Sequence, residues 1–164
     1  GGRFTMTGGS IVGCKAEGYI AFGGGVFVAK GGQFTMTGGS ITGVNGAAVQ
    51  AEENGNVNIS GGTLTSGGNK AAVVALDAAQ VSIAGGTLTG TAAAGAIAKG
   101  DDTASVTVTG GTFSSDVKAY IPAGTDINDN GDGTFTVSQK TFAITYKTNA
   151  KRNEENTDYS LKTS

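Results

Sequence analysis

The chain alternates apolar and polar residues in short stretches that stop at a pair of glycines and then resume. Alternation with a period of two is typical of a β-strand with one buried face, because successive side chains point to opposite sides of the backbone. Adjacent glycines indicate a bend, since tight turns use backbone angles that a Cβ disfavours. Each unit is therefore predicted to form two short strands joined by a bend. Five units align without gaps: FTMTGGSIV at 4–12, FTMTGGSIT at 34–42, VNISGGTLT at 57–65, VSIAGGTLT at 81–89 and VTVTGGTFS at 106–114.

A third short apolar stretch precedes each unit from the second onward, at 26–28, 49–51, 73–75 and 96–98. The spacing to the following unit is constant except in the last repeat, where Ile97 and Val106 are one residue further apart, which predicts an insertion in that turn. Three short strands in about two dozen residues indicate a solenoid. The predicted fold class is all-β: a right-handed parallel β-helix (β-solenoid) of about five coils of three short strands, with a C-terminal cap.

In such a stack, equivalent residues of successive coils form columns, and the apolar columns make one continuous core. A left-handed β-helix is disfavoured because no strict hexapeptide period is present, and a propeller would need blades of roughly 40 residues. The predicted interior columns are Phe4, Phe34, Val57, Val81, Val106; Met6, Met36, Ile59, Ile83, Val108; and Ile11, Ile41, Leu64, Leu88, Phe113.

The chain divides into three predicted segments: a β-helix at 1–115, a C-terminal cap with a final strand at 116–138, and a linker or the start of a following module at 139–164. In the cap, Tyr120, Ile121 and Ile127 are expected to cover the last coil, and 134–137 is expected to form the final strand. The first residues already belong to a repeat, so we expect upstream coils, a partner or an N-terminal capping domain next to them.

The repeated FTMTGGSI units, the intervening GGGVFVA and the segment GGTFSSDVKAYIPAGTDINDNGDGTFTV resemble right-handed β-helix segments of large secreted or wall-attached proteins of gut Firmicutes and related bacteria. The resemblance covers roughly residues 1 to 138. The strand TFAITYKTN looks like the opening of a Listeria-Bacteroides-type repeat. The resemblance implies an extracellular, cell-surface location, an adhesin-like or glycan-contacting role, and neighbouring domains in a larger chain.

Composition narrows the range of partners. Thirty glycines, a single proline and only 15% charged residues suit short strands and turns. The net charge of -2 and pI near 5.0 provide no basic surface for nucleic acid, and no apolar run approaches the roughly 20 residues of a membrane span. Neither nucleic acid nor a membrane span is predicted. The resemblance to bacterial surface proteins implies a host or cell-surface glycan or protein as the partner.

The chain contains no histidine, which removes the commonest general base and metal ligand. Cys14 consequently lacks a histidine to activate it. Glu52, Asp77 and Asp101 each follow a third strand and could approach one another at one corner, although solvated corner charges explain them better. We predict no catalytic, cofactor-binding or metal site, and the chain is not expected to be an enzyme.

Calcium is a minor alternative. Residues 126–131 match the first half of a calcium loop, D-x-[DN]-x-[DN]-G, and Asp132 follows. Val137 stands where that loop would need its bidentate carboxylate, and a turn rich in Asn, Asp and Gly accounts for the same letters.

Hydroxyl side chains form the most regular predicted exterior feature. Outward positions after the glycine bend would form two columns, one starting at Ser10 and one at Val12. Such an array resembles the ice-binding faces of some β-solenoids, whereas threonine is also simply a good outward strand residue. Tyr19, in the first loop with Phe22, is the candidate exposed aromatic platform for a sugar, although packing of that loop on the rod explains it at least as well. The candidate surface-binding residues are Thr42, Thr63, Thr65, Thr87, Thr89 and Thr112.

From these observations we expect a non-catalytic structural or adhesive module of a bacterial extracellular surface protein. A polysaccharide-binding or polysaccharide-active β-helix is the first alternative, and an ice-binding protein that uses the Thr/Ser array is the second.

Overall fold

A computed structural model describes residues 1–14, 24–43 and 45–142. A 3₁₀ turn at Lys118–Tyr120 lies between the fourteenth and fifteenth strands. The strands are β1 (Arg3–Met6), β2 (Ser10–Cys14), β3 (Val26–Val28), β4 (Gln33–Met36), β5 (Ser40–Gly43), β6 (Val49–Ala51), β7 (Asn56–Ile59), β8 (Thr63–Thr65), β9 (Val73–Ala75), β10 (Gln80–Ile83), β11 (Thr87–Thr89), β12 (Ile97–Lys99), β13 (Ser105–Val108), β14 (Gly111–Phe113), β15 (Thr125–Asp129) and β16 (Phe135–Gln139).

The strands form three sheets in which each strand pairs with its equivalent in the next coil, so the predicted parallel β-helix is confirmed. Sheet A has the order β1-β4-β7-β10-β13, sheet B contains β2-β5-β8-β11-β14, and sheet C has the order β3-β6-β9-β12. The chain therefore makes four complete three-stranded coils and a fifth with strands in sheets A and B only. The fifth coil has no strand in sheet C because the chain leaves the repeat after β14 and enters the cap.

The three predicted apolar columns are confirmed by the strand register. In sheet A, Met36 pairs with Ile59 and Ile59 with Ile83, and in sheet B Ile41 pairs with Leu64. These side chains are almost completely buried in one core. The inward side chains of sheet C pack into the same core. Ile97 pairs with Val73. This pairing agrees with the predicted one-residue insertion between Ile97 and Val106. That strand ends at Lys99, one residue later than the predicted 96–98 stretch.

Each glycine pair meets two different requirements. The second glycine has a positive φ, between 79° and 120°. The first glycine does not, but in the second to fifth pairs a Cβ added to it would collide with the preceding coil. At Gly38, Gly61, Gly85 and Gly110 that Cβ would lie 2.5–2.7 Å from a carbonyl oxygen of the residue just before the preceding pair. Real Cβ atoms essentially never approach so closely, so only glycine lets the coils stack at this bend.

The corners between sheets C and A are tight turns in the first three coils. The backbone N–H groups of Gly32, Gly55 and Ala79 each donate to the carbonyl three residues earlier, at 2.8–2.9 Å. Both central residues of each turn have positive φ, which is the conformation of a type I′ turn. The central pairs are Lys30 and Gly31, Glu53 and Asn54, and Asp77 and Ala78.

The C-terminal cap is a β-hairpin that extends sheet B. Strand β16 pairs antiparallel with β14, and β15 pairs antiparallel with β16. Tyr120, Ile121 and Ile127 are partly buried against the core. The expected final strand at 134–137 corresponds to β16, whereas β15 has no counterpart in the sequence analysis. The proposed following module lies almost entirely outside the described residues, as do Tyr19 and Phe22.

Substitution of Gly61 by alanine tests the bend contact. A Cβ at this position would meet the carbonyl oxygen of Thr37 at 2.6 Å, so the coils must separate or shift. We expect Gly61→Ala to lower the free energy of unfolding by about 1–3 kcal/mol, the usual cost of overpacking. Gly2→Ala is the matched control, because an added Cβ there meets nothing within 4 Å. Equal unfolding curves for the two variants in urea would contradict the stated role of the bend.

Candidate functional site

The outward side chains of sheet B form the two predicted hydroxyl columns. Thr63 pairs with Thr87 and Thr87 with Thr112, while Thr42 pairs with Thr65 and Thr65 with Thr89. All six candidate threonines are partly or fully exposed. The first column continues into the cap, where Thr136 of β16 pairs with Thr112 and Asn128 of β15 pairs with Thr136.

The second column is regular only in its middle. At its N-terminal end stands Val12, which is 63% exposed and carries no hydroxyl. At its C-terminal end, Ser114 turns toward the backbone of the preceding coil, where its Oγ accepts a hydrogen bond from the N–H of Gly90 at 2.9 Å. Thr42, Thr65 and Thr89 therefore form the continuous part of this column.

A shallow polar groove of about 330 Å³ lies on sheet A, and the sequence analysis missed it. Its walls come from the outward positions of three successive strands, β7, β10 and β13. Asn58 Nδ2 donates to Asn56 Oδ1 at 2.7 Å, which fixes two of the amides relative to each other. None of the lining residues is charged. The polar side chains are Asn56, Gln80 and Ser105 in one column and Asn58, Ser82 and Thr107 in the next.

The sequence signal for this groove is the polar residues that alternate with the apolar residues in the first strand of each unit. The predicted exterior columns included only the outward positions after the glycine bend. Amide and hydroxyl groups both donate and accept hydrogen bonds, so the groove can pair with neutral polar ligands rich in hydroxyl groups.

The three corner acids do not form a carboxylate cluster. Asp101 Oδ2 accepts a hydrogen bond from the backbone N–H of Asp77 at 2.7 Å, so these two residues meet through backbone rather than through paired carboxylates. The buried side chain of Glu52 instead accepts a hydrogen bond from Gln50 Nε2 at 3.4 Å on the outside of sheet C. Within the described ranges, no three His, Cys, Asp or Glu side chains are grouped closely enough to hold a metal ion.

Asp101 organises the longer fourth corner, where the repeat has its extra residue. Its Oδ1 accepts hydrogen bonds from the backbone N–H groups of Thr103 and Ala104, at 2.8 and 3.1 Å, and from the Thr103 hydroxyl. The Thr103 hydroxyl, the Asp77 N–H and the other N–H donors lower the pKa of Asp101 from 3.8 to about 2. These bonds stabilise the charged form, and their role is structural.

The segment that resembles half a calcium loop comprises most of β15 and the start of the turn that leads to β16. Asp129 Oδ1 accepts the Gly131 N–H, and Asp132 Oδ1 accepts the N–H and hydroxyl of Thr134. The Thr134 hydroxyl is the main cause of a lowered pKa at Asp132. Asp126 lies in β15 and forms an ion pair with Lys140 at 3.3 Å. These carboxylates therefore stabilise the turn and the hairpin of β15 and β16.

Cys14 is exposed at the end of β2. In the described part of the chain, no helix has the length and apolar character needed to cross a bilayer.

Comparison of the chain with protein-family models, curated proteins and solved structures yields no match.

The pKa of Asp101 predicts a pH-dependent contribution to stability. Its folded value lies below the ordinary value of 3.8, so its stabilising effect is present above pH 3.8 and is lost as the pH falls toward 2. Asp101→Asn should lower the unfolding midpoint at pH 6, and the difference from the parent chain should shrink at pH 2.5. Asp102→Asn is the control, because Asp102 forms only an exposed 3.8 Å ion pair with Lys99. A difference that persists unchanged at pH 2.5 would refute the charge-dependent role.

Proposed function

We propose that the chain is a non-catalytic structural or adhesive module of a bacterial extracellular surface protein, which contacts a glycan or a protein through its outward sheet faces. The observation that carries this proposal is the register itself. Rigid backbone ladders hold neutral polar side chains at a fixed repeat on sheets A and B. The proposed extracellular location is supported by the resemblance of the repeat and cap to segments of bacterial surface proteins, and the proposed non-catalytic character by the lack of histidine in the sequence.

The groove on sheet A favours a neutral polysaccharide among these partners. Its amides and hydroxyls can exchange hydrogen bonds with sugar hydroxyls, and it has no charged side chain that would select an acidic polymer. A polymer that lies across several strands would meet equivalent groups in successive coils. Repeated contacts of this kind raise the overall affinity although each one is weak.

Binding to an array of neutral and acidic glycans tests this assignment. We expect neutral polysaccharides to bind, and Asn58→Ala or Gln80→Ala to weaken binding about 2- to 10-fold each, since a neutral hydrogen bond contributes about 0.5–1.5 kcal/mol. Thr65→Ala on sheet B is the matched control and should leave binding unchanged. Loss of binding on Thr65→Ala but not on Asn58→Ala would move the contact to sheet B.

Two further measurements separate the alternatives. Turnover of a polysaccharide by the purified chain, with or without calcium, would overturn the non-catalytic proposal. Thermal hysteresis that disappears in Thr65→Tyr or Thr89→Tyr would instead support ice binding, because a bulky ring would disrupt the hydroxyl columns of sheet B.

A further inference from the structure

A depression adjoins the polar groove of sheet A at the end of the β-helix where the cap begins. Its volume is about 600 Å³, which lies within the range of roughly 300–1,000 Å³ that is typical of small-molecule sites. Ser105 of β13 borders both the groove and this depression. The two therefore form one continuous surface, which crosses β7, β10 and β13 along the β-helix axis and continues to the 3₁₀ turn of the cap.

The depression differs from the groove in having apolar residues and an aromatic ring in its lining. Val106 is the last member of its column and is only half-buried, whereas Val57 and Val81 of the preceding coils are almost completely buried. Ala119 and Tyr120 of the cap border the same space. Tyr120 packs against the core and is half-buried, so part of its side chain stays accessible.

Charged and hydroxyl groups complete the lining. Lys99 Nζ and Asp102 Oδ1 form an ion pair at 3.8 Å, and the Asp102 side chain is fully exposed. The pair is balanced in charge, so it selects neither an acidic nor a basic ligand. Its ammonium donates hydrogen bonds, its carboxylate accepts them, and the hydroxyl of Ser105 does both. Such a lining matches a sugar ring, which has C–H groups on its faces and hydroxyl groups around its edge.

We propose that the groove and the depression form one binding path for a linear neutral oligosaccharide, which lies along the β-helix axis and places one sugar ring against Tyr120. The path rests on the glycan-binding function proposed above and gives the glycan a direction and a further subsite. Asn58 and Ser82, in adjacent strands about 4.8 Å apart, bind hydroxyls of the units in the groove. Lys99 and Asp102 bind hydroxyls of the ring at Tyr120. Covalent linkage between the units lets a long oligosaccharide gain affinity from both parts of the path.

Titration calorimetry with cello-, manno-, xylo- and galacto-oligosaccharides, from dimers to hexamers, tests the path. We expect at least one series to bind more tightly as its length increases, with one hexamer per chain. Tyr120→Leu keeps an apolar side chain against the core and should weaken hexamer binding about 2- to 10-fold, the range for one aromatic contact. Tyr120→Phe retains the ring and should bind almost as well as the parent chain.

Lys99→Met should also weaken hexamer binding. Lys70→Met is the matched control, because Lys70 is an exposed lysine outside both the groove and the depression. Nuclear Overhauser contacts between the Tyr120 ring and the C–H protons of the hexamer should appear, and a tyrosine that only supports the fold would not produce them.

The outcomes separate this path from the function on which it rests. Weaker binding in Asn58→Ala but not in Tyr120→Leu, without contacts to the ring, would overturn the path and leave the groove as a glycan site. Two hexamers per chain would show two independent sites and would also overturn the path. Absence of binding in every series would overturn both the path and the assignment of a neutral glycan to the groove.

Discussion

Close approach of one coil's backbone to the glycine bend of the next is the constraint on which the rest of this structure depends. The carbonyl oxygen of Thr37 occupies the space of a Cβ on Gly61, and that of Ser60 does the same at Gly85. Around these contacts the coils exchange regular hydrogen bonds, such as Ala84 N–H to the Ile59 carbonyl at 2.7 Å. A larger residue at the bend would prevent this spacing, and the ladders of sheets A and B would be pulled apart on either side.

Once the bends are aligned, the period of two assigns every strand residue to one side of its sheet. A slip of one residue would place the whole apolar column outside, so burial of that column also fixes the register. The ladder that brings Met36, Ile59 and Ile83 together inside must therefore also align the amides and hydroxyls outside. The polar groove of sheet A and the hydroxyl columns of sheet B are direct consequences of core packing, and neither needs a loop to form it.

The features predicted correctly from the sequence are those that repeat locally. The glycine pairs and alternating letters predicted the columns, and the spacing of Ile97 predicted its pairing with Val73. Strand β15 was missed because its sequence, TDIND, has a single apolar residue and no glycine pair beside it. The type I′ corners were missed because Asp77 and Ala78 give no signal of positive φ, unlike Gly31 or Asn54.

The groove and the acidic corner required knowledge of neighbouring coils. The groove combines residues from three strands that are each about two dozen positions apart, and no single stretch of sequence contains it. Glu52 and Asp101 follow equivalent strands, but the one-residue insertion changes the fourth corner and turns Asp101 onto the backbone of Asp77. The Glu52 side chain instead accepts a hydrogen bond from Gln50, and both residues are buried although Gln50 lies at an outward position of sheet C.

Methyl-to-methyl nuclear Overhauser contacts test the stacked register most directly. With Ile and Met methyl groups labelled, strong contacts should connect Ile59 with Ile83 and Met36 with Ile59, since each pair occupies adjacent positions of one buried column. Absence of both contacts in the folded protein would contradict the parallel, in-register stack on which this account rests.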